Sequence, residues 1–247
     1  ILRAISLHQN GDTQAAIDLI QRKILFARKK LAEDNDLLGK MVYISIIAKT
    51  LNRKSMLFGK GNVVFQRVSQ LSLAEKNSEL AFASQLEYRY NGYKSMFHAH
   101  VQDMGGGRMG KFLAKSLYKP NMTLNYSLPI FTKAIAQSKM SPQEFVEDIK
   151  KPIELDDSFQ IRNYAGARYA LVGLALEKYV VQIKNLDILI SLFNHLHVDK
   201  KPAEAFVNPY YPEKTAFKKD GKVCFDRPFE DELVFMGLKC LLVSDNH

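Results

Sequence analysis

Apolar residues recur at helical spacing through most of the chain. A first predicted helix ends at Asn10-Gly11, and a second begins at Asp12 or Thr13 and continues to the polar break at 34–36. The apolar face of the second helix is formed by Ile17, Ile20, Ile24 and Leu31. A third helix, LLGKMVYISIIAKTLN, is apolar on almost every side, and we expect it at the centre of the core. A glycine-containing connector is predicted to follow it at 53–62.

Two capping boxes mark further helix starts. Ser72 with Glu75, and Ser141 with Glu144, have the spacing at which each side chain bonds the other residue's free backbone N–H. The first box predicts a long helix through LAFASQLEYRYNGYKSMFHAH. The second predicts a helix with Pro142 in its first position, where proline is favoured.

Two more helical regions follow from the periodicity. Part of 122–138 is predicted to be helical, with a bend at Pro129, and residues 159–197 are predicted to form one or two helices. The fold class is therefore mainly α, an irregular array of several helices. We divide the chain into a helical domain, 1–207, and a small β-containing tail, 208–247, that packs on it as part of one structural unit.

The tail has a different pattern, with short apolar runs between turn residues. Asp220-Gly221 separates two such runs and predicts a β-hairpin, and LKCLLVS predicts a third strand. Cys224 and Cys240, the two cysteines of the chain, lie in these runs. Two buried thiols are one possibility, but we favour a disulfide, which would close a loop worth ~3 kcal/mol and indicate an oxidising compartment.

Charge and hydropathy exclude some classes of function. The formal net charge is +9, but Lys and Arg are dispersed along the chain instead of forming a basic stripe, so we expect no nucleic-acid partner. No run of apolar residues approaches the ~20 that a membrane span needs. The chain begins at Ile1 and not at Met, so residues have been removed before it, and a signal peptide or membrane anchor is one of the segments that could have stood there.

A glycine-rich segment, GGGRMGKF, has the spacing of a phosphate-binding loop. Its glycines would allow backbone N–H groups to approach phosphate oxygens, with Arg108 and Lys111 as the cationic ligands. However, Phe112 stands where a magnesium-binding hydroxyl is needed, and no buried strand precedes the loop. A phosphate or nucleotide binder acting through Gly105–Lys111 is therefore the weaker alternative function, and a helix connection is the simpler interpretation.

Carboxylates on the predicted helix after Ser72 suggest a second alternative. Glu87 precedes aromatic and cationic residues that can stack on sugars, namely Tyr88, Arg89 and Tyr90. A glycan-acting enzyme could use Glu87 as its catalytic carboxylate, although such tyrosines more often serve packing. Glu75 and Glu79, one helical turn apart, are expected to form a solvated stripe.

The histidines give no metal site. His98 with His100, and His195 with His197, are two residues apart, and on a helix such side chains point to different sides. Neither pair has a Cys or carboxylate cluster beside it at ligand spacing. We therefore expect no metal and no cofactor, and we interpret these histidines as residues at helix ends.

Several segments, among them LLGKMVYISIIAKTL, SLYKPNMTLNYSLPIF and RNYAGARYALVGLALEKYVVQIKNLDILISLFNHL, are similar to a set of uncharacterised bacterial envelope proteins. The resemblance implies a helical domain that follows a single N-terminal membrane anchor and lies in the periplasm or on the extracytoplasmic face of the membrane. It carries over no functional residue. Together with the absence of a catalytic constellation, it predicts a non-enzymatic envelope domain that binds a partner protein or an anionic envelope polymer.

Overall fold

The computed structural model describes residues 2–58, 63, 65–103, 112, 119–153, 173–228 and 238–243. Most of these residues are helical, which confirms the mainly α class. The helices are α1 (Leu2–Gln9), α2 (Thr13–Glu33), α3 (Leu37–Phe58), α4 (Leu73–Lys76), α5 (Glu79–Asp103), α6 (Pro120–Lys139), α7 (Pro142–Asp148) and α8 (Gly173–Phe193). A π-helical turn, Asn194–Val198, continues α8, and a 3-10 turn covers Ala203–Ala205.

The most deeply buried helix is α8, not α3. Apolar side chains on all sides of α8 are inaccessible to solvent from Leu176 onward, and polar Asn185 is buried with them. By contrast, α3 packs one face against α2, α8 and the tail, and it leaves Leu38 and Val42 exposed on the other. Half of the residues of α3 are nevertheless buried, so α3 forms part of the core as its apolar pattern predicts, and α8 lies deeper in it.

Local capping sets where α2 and α3 begin and end. Asp12 caps α2 by accepting a hydrogen bond from the N–H of Ala15 at 3.2 Å, one of the two caps predicted. The helix ends before Asp34, whose N–H still donates to the carbonyl of Lys30. Helix α3 continues to Phe58, so the first part of the predicted connector at 53–62 is helical instead.

The first capping box forms, but the helix it begins is short. Ser72 and Glu75 bond each other's backbone N–H groups as predicted, yet α4 has four residues and ends before the extended Asn77. The side chain of Asn77 then accepts a hydrogen bond from Glu79, where α5 begins. The predicted single helix is therefore two helices. The second box, Ser141 with Glu144, begins α7 as expected.

An extended segment, 65–71, lies between α2 and α8 and is bound through its backbone. Asn194 accepts from the N–H of Val68 at 2.9 Å and donates to its carbonyl at 2.7 Å, in the manner of a neighbouring strand. Arg28 donates to the carbonyls of Ser69 and Gln70. These side chains satisfy backbone groups that the segment would otherwise leave unpaired.

The tail contains two small antiparallel sheets. One pairs β1 (Val207–Asn208) with β2 (Tyr211–Thr215), which was not predicted. The other has the order β3 (Phe217–Lys219), β4 (Lys222–Cys224) and β5 (Cys240–Leu242). The hairpin between β3 and β4 turns at Asp220-Gly221, both with positive φ, and this confirms the predicted hairpin and third strand.

The tail contacts the helices through buried polar side chains. Asn52 on α3 accepts a hydrogen bond from the N–H of Leu242 at 2.8 Å. Between β1 and β2 of the other sheet, the hydroxyl of Tyr210 donates to Asn185 of α8 at 2.8 Å, and burial raises the pKa of the Tyr210 hydroxyl. Within the described residues, no helix is both long and apolar enough to cross a membrane.

Candidate functional site

A cleft of about 700 Å³ opens between five helices, and we refer to it as the lysine cleft. Its walls are formed by residues within 73–79, 138–142 and 183–187. These segments are the α4–α5 junction, the α6–α7 junction and the middle of α8. A cavity of this volume is in the range that binds a small molecule or one segment of a polymer.

The helix ends that line the cleft are rigidly capped. Ser141 and Glu144 form the capping box of α7, and the hydrogen bonds from Ser141 lower the pKa of the exposed Glu144 carboxyl. At the α5 side, the hydroxyl of Ser78 donates to that of Ser138 at 3.0 Å, and Ser138 donates to the carbonyl of Ile135. The polar wall is thus built from caps whose conformation is set by their own hydrogen bonds.

Three lysines contribute to the lining of the cleft. Lys76 lies 2.5 Å from Asp187 across the junction between α4 and α8. Lys139, at the end of α6, forms an ion pair with Glu79 at the start of α5. The third is Lys184 on α8. Among the described lining residues, three cationic groups therefore face two carboxylates, which gives the cleft a net positive charge.

Lys184 is the buried member of this group, with 7% of its surface exposed. Its ammonium donates to the carbonyl of Met140, the C-cap residue of α6, at 2.5 Å. It also lies 5.4 Å from the centre of the Phe145 ring. Burial and, to a smaller extent, the positive charge of Lys76 lower the pKa of Lys184 to about 8, against the opposing effects of Asp187 and Glu144.

The remaining wall of the cleft is apolar. It includes Leu73, Met140, Pro142 and Ile183. Apolar side chains together with ammonium groups in one cleft suit a ligand that combines a hydrocarbon or sugar-ring body with an anionic group. Because ion pairs in this partly exposed cleft are individually weak, a ligand anion can compete with Asp187 and Glu79 for the lysines.

The glycan-enzyme residues lie elsewhere. Glu87 is exposed on α5 and does not line the lysine cleft, and Tyr88 is exposed beside it. Arg89 and Tyr90 follow in the same helix, but their side chains lie outside the part that the structure describes. Glycoside hydrolysis needs a second carboxylate facing the first across a concave site. The described surroundings of Glu87 supply no support for that arrangement, and the role stays a prediction.

The phosphate-loop prediction concerns residues outside the described ranges. Gly105, Arg108 and Lys111 all lie outside the residues that the structure describes.

The prediction that Glu75 and Glu79 form a solvated stripe of carboxylates is wrong for one of the two residues. Glu75 is 4% exposed and accepts hydrogen bonds from Arg28 at 2.6 and 2.8 Å, whereas Glu79 is exposed in its ion pair with Lys139.

A serine and a histidine meet in the core without forming a catalytic pair. Ser55 Oγ lies 2.7 Å from His197 Nε2, but both residues are buried. The serine hydroxyl donates to the carbonyl of Leu242, so it accepts from the histidine ring instead of giving it a proton. His195, two residues earlier, lies 2.9 Å from the carbonyl of Pro202. The two histidines therefore have different surroundings, as their spacing predicted.

The two cysteines are bonded to each other, as predicted. Cys224 on β4 and Cys240 on β5 are directly opposite in the sheet and form a disulfide. Neither sulfur is therefore a free nucleophile. Across the described residues, no group of three or more His, Cys, Asp or Glu side chains is placed to bind a metal ion.

Sequence reasoning did not identify Lys76, Lys139 or Lys184. Lys184 interrupts the apolar run of α8, and a lysine at such a position is a signal for a buried cation. Its contacts Met140 and Phe145 lie at the α6–α7 junction, about 40 residues away in sequence, and no local pattern places them beside Lys184. Compared with protein-family models, with curated proteins and with solved structures, the chain matches none. The resemblance to bacterial envelope proteins stays a prediction.

Proposed function

We propose that the chain is a non-enzymatic domain of a bacterial cell envelope that binds an anionic envelope component in the lysine cleft. The observation that carries this proposal is the convergence of Lys76, Lys139 and Lys184 on one cavity of about 700 Å³. The net charge of +9 would also attract an anionic polymer over a longer range.

The disulfide supports the extracytoplasmic location. Structural disulfides persist in oxidising compartments such as the periplasm and are rare in the cytosol, where thiols are kept reduced. The bond between Cys224 and Cys240 joins two short strands that bury little core of their own. Attachment to the membrane through an N-terminal anchor is part of the proposal, and it is consistent with the resemblance given above.

Calorimetric titration with a short oligo(glycerol phosphate) tests the proposal. We expect binding at low salt that weakens as ionic strength rises. The double variant K76Q/K139Q removes two cations and leaves Asp187 and Glu79 without their lysine partners, so we expect affinity to fall about tenfold or more.

A matched control has the same change in net charge. K23Q/K49Q replaces two exposed lysines of α2 and α3 that do not line the cleft. It should bind the oligomer as the wild type does. Equal weakening by both double variants would mean that net charge alone attracts the polymer, and no binding by the wild type would overturn the proposal.

A partner protein is the second candidate, and it rests on a different surface. Leu25 and Phe26 are 56% and 59% exposed on α2. Leu38 and Val42, one turn apart on α3, are 68% and 56% exposed. Exposed apolar side chains on two packed helices are typical of surfaces that bind other proteins. If this surface binds a partner, L25Q/V42Q should abolish cross-linking to envelope proteins and leave oligomer binding unchanged.

A further inference from the structure

We propose that Lys184 is a carbonyl-reactive amine, and that the ligands of the lysine cleft include anionic aldehydes or ketones that form an imine with its Nζ. The inference rests on the proposed function in one respect, since it places the carbonyl compound in the same cleft. It adds a covalent step and a defined reacting atom, which reversible binding of an anion does not require.

The position of the Lys184 side chain is set from three sides. It projects from the buried central helix α8 to the wall of the cleft. Met140 is the one hydrogen-bond acceptor that the described residues offer its Nζ, and the Phe145 ring lies 5.4 Å away. A primary amine that is held at the wall of a cavity, and that uses one of its N–H groups for the bond to Met140, meets a ligand in a narrow range of orientations.

The charged groups around Lys184 come from each element that lines the cleft. Lys76 and Lys139 are cationic neighbours, while Asp187 and Glu79 line the same cavity as carboxylates. Glu144 acts on Lys184 from α7. The balance of burial and charge leaves the pKa of Lys184 at about 8, against 10.5 for an ordinary lysine. At pH 7, about a tenth of Lys184 is then neutral, compared with roughly one in three thousand for an unperturbed lysine.

Imine formation needs the neutral amine and no further reactant. The lone pair of Nζ attacks the carbonyl carbon, the C–N bond forms as the carbonyl electron pair moves to oxygen, and one proton passes from nitrogen to that oxygen. The nitrogen lone pair of the carbinolamine then expels the hydroxyl group, which leaves as water with the second nitrogen proton, and the C=N bond forms with no change of oxidation state. A protonated imine is cationic, so Asp187, one turn away on α8, offsets its charge. The lysine cluster attracts the ligand's anionic group.

Pyridoxal 5′-phosphate, an anionic aldehyde, tests the inference. The full chain is incubated with it, imines are reduced with borohydride, and modified peptides are located by mass. We expect the adduct on Lys184 to exceed that on exposed Lys23 and Lys49 by about tenfold or more. K184R keeps a cation that can donate to Met140, and it should lose this adduct. An even distribution over surface lysines, or no adduct at Lys184, would overturn the inference.

The pH profile of the wild type gives a readout that does not depend on folding of a variant. The rate of adduct formation at Lys184 should rise with pH and level off above about pH 8, whereas the rate at exposed lysines should continue to rise. A lysine that serves packing alone would show no such separate profile. A profile at Lys184 that matches those of the exposed lysines would contradict the inference.

Propanal, an uncharged aldehyde, separates this inference from the proposed function. If propanal modifies Lys184 selectively while oligo(glycerol phosphate) does not bind, the reactive amine is supported and the anionic ligand is not. If the oligomer binds in the cleft while neither aldehyde modifies Lys184, the proposed function is supported and the reactive amine is excluded.

Discussion

The hydroxyl of Ser55 on α3 donates a hydrogen bond to the main-chain oxygen of Leu242 on β5. The same hydroxyl lies 2.7 Å from His197 in the π-helical turn. One buried side chain therefore connects a helix near the start of the chain, the end of the central helix and the edge of the C-terminal sheet. Asn52, one turn earlier on α3, accepts from the N–H of Leu242, so both main-chain polar groups of Leu242 are hydrogen-bonded to α3.

Replacement of Ser55 by Ala should destabilise the protein by about 1–3 kcal/mol, because the Leu242 carbonyl and the buried His197 ring both lose their hydrogen bond to the hydroxyl. Urea unfolding followed by circular dichroism measures the change. S45A, at a half-buried serine of the same helix, is the control and should have a smaller effect. Equal stability of S55A and the wild type would show that the two hydrogen bonds contribute no net free energy.

Loss of the disulfide should lower the free energy of unfolding by about 3 kcal/mol, because Cys224 and Cys240 are 16 residues apart and close a loop of that size. The variant C224A/C240A and the reduced wild type should unfold at the same urea concentration. Reductant should leave the variant unchanged. An intact mass that shows two alkylated thiols in unreduced protein would contradict the bond.

Glu75 should stabilise the protein in a pH-dependent way. Burial alone would raise the pKa of Glu75, but hydrogen bonds from Arg28 and Ser72 lower it below its usual 4.5. The contribution is therefore present above pH 4.5 and is lost as pH falls through the lower folded-state value. E75Q should be destabilised by about 2 kcal/mol at pH 7 and should approach the wild type in acid. The control is E79Q, which removes a carboxylate of an exposed ion pair and should change the free energy of unfolding much less at pH 7. A difference in unfolding free energy between E75Q and the wild type that stays the same at all pH values would contradict the prediction.

Lys54 should also make stability rise with pH, but in the alkaline range, because its charged form is disfavoured by burial in the folded state. Burial lowers its pKa from 10.5 to about 8, with Gln21 and the rings of Phe65 and Phe193 as its surroundings. The unfolded chain binds more protons than the folded one between these values, so the wild type gains stability as pH rises from 8 to 10.5.

K54M removes the buried charge, and its stability relative to the wild type should be greatest near pH 7. That advantage should decrease by roughly 3 kcal/mol by pH 10.5, as expected for a shift of this size. Urea unfolding at a series of pH values measures the difference, with K49M at an exposed lysine of the same helix as the control. A difference between K54M and the wild type that does not change with pH would show that Lys54 has an ordinary pKa.

The parts of the fold that were predicted correctly depend on neighbouring residues. Both capping boxes, the hairpin at Asp220-Gly221 and the third strand formed as expected. The length of the helix after Ser72 was wrong because the box specifies where a helix begins and not where it ends. The π-helical turn at Asn194–Val198 and the pairing of β1 with β2 had no recognised signal in the sequence.

The candidate site could not be predicted in the same way. Lys76 and Lys139 are ordinary lysines in the sequence, and the position of Lys184 in an apolar run signals burial but no partner. The three line one cavity because α8 packs against the ends of α4 and α6. Glu75 shows the same difficulty. The capping-box pattern located it correctly at a helix start, but its burial depends on Arg28, 47 residues away.

The amino-acid sequence alone determined the helical class, the positions of the helix caps, the C-terminal hairpin and the pairing of two cysteines. These features arise from contacts between residues that are close along the chain, or from there being one possible partner for each cysteine. The tertiary structure decided that α8 is the most deeply buried helix, which lysines are buried, and that three separate segments form one positively charged cleft. Those outcomes depend on which faces of distant helices cover one another, because burial and charge proximity are properties of the packed chain as a whole.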